Sequence, residues 1–413
     1  MKTRYRRTTI SQYLVVGIVL VAAVGLVALS TFMMSRISFQ DEFVIPWAAG
    51  RGWLLEGLSP YSEQIGRIAS QEAAESPYLV TLPENRLLIE PALNLFFYLP
   101  LSLIPYTISR ALWTALIAIC LGGIGYFSLK LSGWKVSIYE RIALIALTVF
   151  WFPGVKAVMT GQLTPVVILL VLVGIDAILH ERDTLAGLAF ALTFGSISTS
   201  ILILLFITIW SIARRRWTII GSFFAGLAFI WIITLMLLPS WPVEWLGVLL
   251  NTYEDWTWVR TPLMDLAALL PGIENYLSIA LHALFAVYMI TLWITLTRAS
   301  EREFVWKVPA LLVVIHLAHI QSSNILILLI FPALFVVFRF WSERWKVIGR
   351  LTAWLLIIAA AVHSWTSAAP DFSLVSDHRN LLLIVGLPII VFIGMIWVRW
   401  WAFRIPRLPY ERQ

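Results

Sequence analysis

Long apolar runs separated by short charged or proline-rich breaks set the layout of the chain. Tyr13–Met34 is the first, long enough for the roughly 20 residues a membrane helix needs. Further runs lie at Leu87–Ile104, Ala111–Leu129, Ile142–Phe152 and Pro165–Leu179, the first of them made irregular by Pro91, Pro100 and Pro105. Leu185–Trp210 is interrupted at Phe194–Thr199 and reads as two half-helices or one kinked span. Thr218–Leu238, Leu277–Leu296, Val308–Ile320, Ile325–Val337, Leu351–Ser367 and Leu381–Val398 follow. The pattern predicts an all-α polytopic integral membrane protein of about twelve transmembrane helices.

Composition agrees with this. Hydrophobic residues make up 60% and charged residues 13% of the 413, against roughly 25% charged in a soluble domain. A mean hydropathy of +0.87 excludes a water-facing surface of that size. The 21 Trp suit a chain with many bilayer interfaces. The net charge of +7 comes from clusters at the ends of spans and does not point to nucleic acid. Cys120 is the single cysteine, so no intramolecular disulfide or cysteine metal cluster forms.

The basic clusters also orient the chain. Lys2, Arg4, Arg6 and Arg7 precede the first run, which is too long for a cleaved signal peptide. The positive-inside rule then puts both termini in the cytoplasm, with Arg214–Arg216, the Arg339–Arg350 segment and the tail Arg399, Arg404 and Arg407. One membrane-embedded domain results: a basic tail (1–12), a first span (13–34), an outer loop (35–85), spans over 86–238, a second outer region (239–276) and C-terminal spans (277–413). The direction of the crossings between Lys130 and Leu185 stays open.

The first outer loop holds the stretch DEFVIPWAAGRGWLLEGLSPY, Asp41–Tyr61. Adjacent carboxylates open it and Gly57 with Ser59-Pro60 closes it. The spacing fits a short amphipathic helix on the membrane surface over Glu42–Glu56, with a second over Ser62–Glu75. An ordinary loop with a solvated charge pair is the other reading. Elsewhere, His316 and His319 share a helix face without an evident third ligand, so no metal is expected. His282 and His363 read as packing residues, and Asp176 as a group reaching the headgroup layer. No phosphate-cradling glycine loop, nucleophile elbow or zinc helix motif is present.

The order of features resembles the GT-C membrane glycosyltransferases, and most of all glycosyltransferase family 87, the polyprenol-phosphate-mannose-dependent mannosyltransferases. The resemblance rests on Asp41/Glu42, Trp47-Ala48-Ala49, Gly57–Tyr61, Glu90–Leu93, Leu99–Leu101, Gly161-Gln162, Leu185–Gly187 and Arg214–Arg216, and is expected to fade beyond Arg216. It implies a GT-C-like fold and transfer of a hexose, mannose above all, from a polyprenyl-phosphate sugar to a lipid or glycan acceptor. The site would face outward from a bacterial plasma membrane, with no cofactor. Asp41 or Glu42 would be the base, with Arg51, Tyr61, Gln162, Arg260, His319, Gln321 and Arg379 as substrate-binding candidates. Many relatives carry a Lys where this chain reads Gly195–Ser198. A lipid or sugar transporter, and a non-catalytic protein of envelope assembly, are the rival classes.

Overall fold

The computed structural model describes residues 24–25, 27–82, 87–252, 261–297, 301–319, 325–368 and 381–399. Arg260, Gln321 and Arg379, named above, fall outside them, as do both termini. Nearly everything described is helical. The first two helices are α1 (Val44–Glu56) and α2 (Glu63–Glu75), close to where the spacing put them. A pair of two-residue parallel strands, β1 (Phe39–Gln40) and β2 (Val80–Thr81), closes this loop at its base. That pairing had no signal in the sequence, because two residues are too few to show alternation.

The core helices follow in order. They are α3 (Leu95–Ser102), α4 (Tyr106–Ser132), α5 (Ile138–Phe150), α6 (Phe152–Thr160), α7 (Thr164–Leu179), α8 (Asp183–Thr193), α9 (Ile197–Ala213) and α10 (Trp217–Leu237). Then come α11 (Trp241–Thr252), α12 (Pro262–Ala267), α13 (Glu274–Leu296), α14 (Glu301–Ala318), α15 (Phe331–Ala368) and α16 (Leu387–Val398). Among the described residues, four helices are long and apolar enough to cross a membrane alone, and α5 with α6, bent by 50°, makes a fifth. Much of the remaining apolar length among the described residues lies in helices of 10–17 residues. The chain is thus an all-α, multi-pass membrane protein.

The longest helix reverses direction. Lys346 has φ 48° and ψ −118°, a break inside α15. The Phe331 ring meets Trp151 at 5.4 Å, and Trp151 Nε1 donates to the Ala360 carbonyl at 3.4 Å. A straight helix would hold Phe331 and Ala360 roughly 44 Å apart. The two arms are therefore antiparallel, as the basic segment between Val337 and Leu351 predicts.

Polar contacts divide the bundle into two poles. At one, Lys130 pairs with Asp176 at 2.7 Å, Arg216 Nε with Asp183 at 3.1 Å and Arg350 with Glu140 at 3.0 Å, while Arg339 donates to the Ser132 carbonyl at 2.9 Å. At the other lie Asp41, Arg110 and the Gly161-Gln162 step. Between the poles α4 runs down, α5–α6 up, α7 down, α8 up, α9 down and α10 up. This fixes the crossing directions between Lys130 and Leu185. The interrupted segment is two short helices that run antiparallel, each with its outer end at the charged pole. Gly187 lets α8 and α10 lie side by side, since a Cβ there would sit against Ser222 and the Ile219 carbonyl.

Candidate active site

The two carboxylates that open the outer loop have opposite fates. Asp41 is fully buried. Its Oδ1 accepts from the Phe43 amide at 2.9 Å, and its Oδ2 accepts from Arg110 Nε at 3.0 Å and from the Tyr106 hydroxyl. Arg110, also fully buried, spends three further donors on Thr114 Oγ1 at 2.7 Å and on the Val158 and Met159 carbonyls at 3.0 and 2.6 Å. This network ties β1, α4 and the end of α6 into one unit. Arg110 was not singled out from sequence. The signal was there, because a cation in the first turns of a membrane helix demands an anion.

Glu42 points elsewhere. Its amide donates to the Thr160 carbonyl at 2.8 Å, which anchors the backbone. Its carboxylate accepts from Gln162 Nε2. Solvent reaches the side chain, yet protein surrounds it on nearly every side, as in a concave recess. This burial pushes its pKa up to about 7, with Glu90 and Asp41 raising it further and Gln162 and Lys156 opposing. The site thus holds a carboxylate that exchanges its proton near neutrality.

Gly161 lets the two arrangements coexist. It has φ +72°, and a Cβ there would lie 2.9 Å from Phe43 Cβ and 3.0 Å from Asp41 Oδ1. Trp113 Nε1 donates to its carbonyl at 2.7 Å. The left-handed turn ends α6 and hands Gln162 to Glu42. So the Gly-Gln step is explained by backbone approach for one residue and by a side-chain hydrogen bond for the next.

Tyr61 joins the site from the far end of the same stretch. It is buried, and its hydroxyl donates to the Glu90 carbonyl at 3.1 Å. Trp245 of α11 donates to the neighbouring Ile89 carbonyl at 2.8 Å, and Ser59 donates to Glu244. Residues of α11 therefore clasp the loop that carries Asp41–Tyr61. Glu90, like Glu42, is solvent-reachable but enclosed, and burial raises its pKa. Lys156 of α6 is 6% exposed, and its charge acts on Glu42. The interrupted segment adjoins this region too, with Gly195 packed on the Asn94 side chain. Glu90, Lys156, Tyr98 and Tyr106 were all missed as site residues, because chain position alone does not bring them near Asp41–Glu42.

α1 is buried along its first half rather than along one face, and its last turn is exposed. Val44–Gly50 are all buried, Trp47 completely, because α1 packs on α2 and α3. Arg51 is engaged in that packing, with Glu72 at 3.9 Å, the Ser102 carbonyl at 3.4 Å and the Trp47 ring at 5.4 Å. His319 is buried at the C-terminal end of α14, and its neighbour His316 bonds the Ile384 carbonyl at 2.9 Å. Among the described residues, no group of three potential metal ligands occurs.

Comparison with protein families matches residues 90–323 to glycosyltransferase family 87. The match starts at Glu90, after the acidic pair, and runs well past Arg216, where the resemblance was expected to fade. No match was found among curated proteins. With more than half of the chain covered, this protein belongs to glycosyltransferase family 87.

Proposed function

We propose that the protein transfers a hexose, mannose in the first instance, from a polyprenyl-phosphate sugar to a lipid or glycan acceptor, with Glu42 as general base. The observation that carries this reading is the division of labour between the two carboxylates. Asp41 has its oxygens occupied by Arg110, Tyr106 and the Phe43 amide, whereas Glu42 opens onto the recess and titrates near pH 7. A base poised near neutrality is what proton abstraction from a hydroxyl calls for.

In the reaction the acceptor hydroxyl oxygen attacks the anomeric carbon and Glu42 takes its proton. The bond from the anomeric carbon to the phosphate oxygen breaks, and the polyprenyl phosphate leaves with the electron pair. One base and one displacement invert the anomeric centre. Lys156, whose charge already acts on Glu42, is the cation offered to the departing phosphate. It takes the part that a Lys within 195–198 would play in other members. An apolar groove of about 220 Å³, lined by Trp151, Phe331, Leu356 and His363 among others, borders the start of α6. The end of α6 holds Glu42, so this groove suits the lipid chain of the donor. The basic clusters at the charged pole support a cytoplasmic location for that pole and an outward-facing site.

Purified Glu42→Gln protein, given polyprenyl-phosphate-mannose and an alkyl mannoside acceptor, should lose transfer by about 10²-fold or more while staying folded. Transfer by this variant at the wild-type rate would remove Glu42 as the base.

A further inference from the structure

Asn94 ends the helical turn Ala92–Asn94 and stands at the N-cap of α3, yet its side chain caps nothing. Capping is the usual work of an asparagine at that position. The residue is 1% exposed, and among the described residues neither Oδ1 nor Nδ2 has a hydrogen-bond partner. A buried amide with its bonds unmade costs stability, which a bound hydroxyl group would recover. Gly195 sets the place of this amide, since a Cβ there would fall on Oδ1. That glycine lies between the end of α8 at Thr193 and the start of α9 at Ile197. The cover over the amide is therefore a break between helices.

Tyr98 follows one turn later on the same face, because the backbone is helical from Asn94 onward. Its ring packs on Phe43 at 5.7 Å and on Trp113 at 4.8 Å, which sets it beside the neighbour of Glu42. The other polar atoms of this aromatic cluster are taken up within the protein. The Tyr106 hydroxyl donates to Asp41, Trp113 Nε1 to the Gly161 carbonyl and Trp47 Nε1 to the Leu101 carbonyl. The Tyr98 hydroxyl has no partner among the described residues and, unlike the Asn94 amide, is not sealed from solvent. The charges of Glu90, Glu42 and Asp41 act on it. An amide and a phenol are thus set about 6 Å apart along one helix axis, a spacing comparable to the width of a sugar ring. Both groups donate and accept, as sugar hydroxyls do, and neither carries a charge for a phosphate.

We infer that the Asn94–Tyr98 face is a sugar-binding strip, with the Tyr98 hydroxyl and the Asn94 amide each bonding a hydroxyl of one carbohydrate ring beside Glu42. Tyr98 is reached from the recess, and the break at Gly195 moves to admit the ring to Asn94. This deepens the transferase reading and rests on it. The ring is the donor's or the acceptor's, and the experiment separates the two.

Tyr98→Phe removes one hydroxyl and keeps both ring contacts, and Asn94→Ala removes the amide. Each is compared with wild type for the KM of polyprenyl-phosphate-mannose and of an octyl mannoside, with sugar-free polyprenyl phosphate as a competing ligand. A neutral hydrogen bond is worth about 0.5–1.5 kcal/mol net, so each variant should raise one KM by about 2- to 12-fold. A rise for the octyl mannoside marks the acceptor sugar, and a rise for the donor marks the donor sugar. Inhibition by sugar-free polyprenyl phosphate should not change. Substrates lacking one hydroxyl at a time supply the readout that a structural role would not move. Loss of one particular hydroxyl should weaken wild type by the same factor and cost Tyr98→Phe nothing further, and loss of another should do so for Asn94→Ala. If Asn94→Ala folds poorly, Gly195→Ala takes its place, because the added Cβ displaces the amide.

Unchanged KM for both sugars in both variants would overturn the inference. So would an equal loss across all the deoxy substrates, or weaker inhibition by sugar-free polyprenyl phosphate. Absence of transfer by the wild-type protein would sink the transferase reading instead, and calorimetric titration of the same two sugars into wild type and the variants would still decide this one.

Discussion

At the scale of the residue, two neighbouring acids of similar chemistry are separated by what surrounds them. Asp41 is saturated by a buried guanidinium, a phenol and an amide, and Glu42 by one neutral amide and a recess. Breaking a buried ion pair on one side typically costs about 3–5 kcal/mol, because the other charge stays behind unpaired. Arg110→Met should therefore lower the unfolding temperature sharply in detergent, and Asp41→Asn should do the same. Glu42→Gln should leave the melting curve close to wild type and remove turnover. If Asp41→Asn melts normally and is inactive, the roles are exchanged. The pH dependence follows from the raised Glu42 pKa. The base works only when deprotonated, so kcat/KM should rise as pH climbs through about 7. Stability runs the other way. Below the ordinary carboxyl value of 4.5 Glu42 is protonated whether the chain is folded or not. Between there and about 7 only the folded state keeps the proton, so this group's contribution to stability falls as pH rises.

At the scale of the element, the helices that form the site are short, bent or tightly packed, and glycine decides where. Gly161 ends α6 in the left-handed region with Phe43 and Asp41 pressed against its Cα. Gly161→Ala should lower the melting temperature and reduce transfer together, since the turn it strains is the one that delivers Gln162. Gln162→Ala should act more narrowly. It removes a hydrogen bond that lowers the Glu42 pKa, so the acid limb of the rate profile should move to higher pH. An unchanged profile would mean that Gln162 does not touch the working base. The clasp between α11 and the first outer loop, through Trp245 to Ile89 and Glu244 to Ser59, is the element-scale reason that Glu90 stays in place.

At the scale of the whole molecule, the polar groups collect at two ends of an apolar bundle. A tertiary contact at each pole joins segments far apart in the chain, such as Arg350 with Glu140 and Arg110 with the end of α6. The two poles give a direct test of orientation. Asp41 is too buried to label, but Glu56 and Arg215 are exposed and belong to different poles. In a Cys120→Ser background, Glu56→Cys should react with a membrane-impermeant thiol reagent from outside, and Arg215→Cys only after the membrane is opened. Reaction of both from the same side would rule out the two-pole orientation.

The sequence by itself determined the membrane class, the helical content, the position of α1 and α2, the paired arms on either side of Lys346 and the membership of a glycosyl-transferring family. These follow from hydropathy, from glycine and proline punctuation, and from local order, all of which are written along the chain. It could not separate Asp41 from Glu42, because adjacent residues share every local signal and differ only in which side chains reach them. Arg110, Glu90 and Lys156 were invisible as site residues for the same reason, and the contacts of Arg51 with Glu72 and Trp47 were equally unreadable along the chain. Only the tertiary structure brings residues 41, 90, 110, 156 and 162 to one place, since burial and electrostatic field are properties of the assembled pole and not of any single stretch of chain.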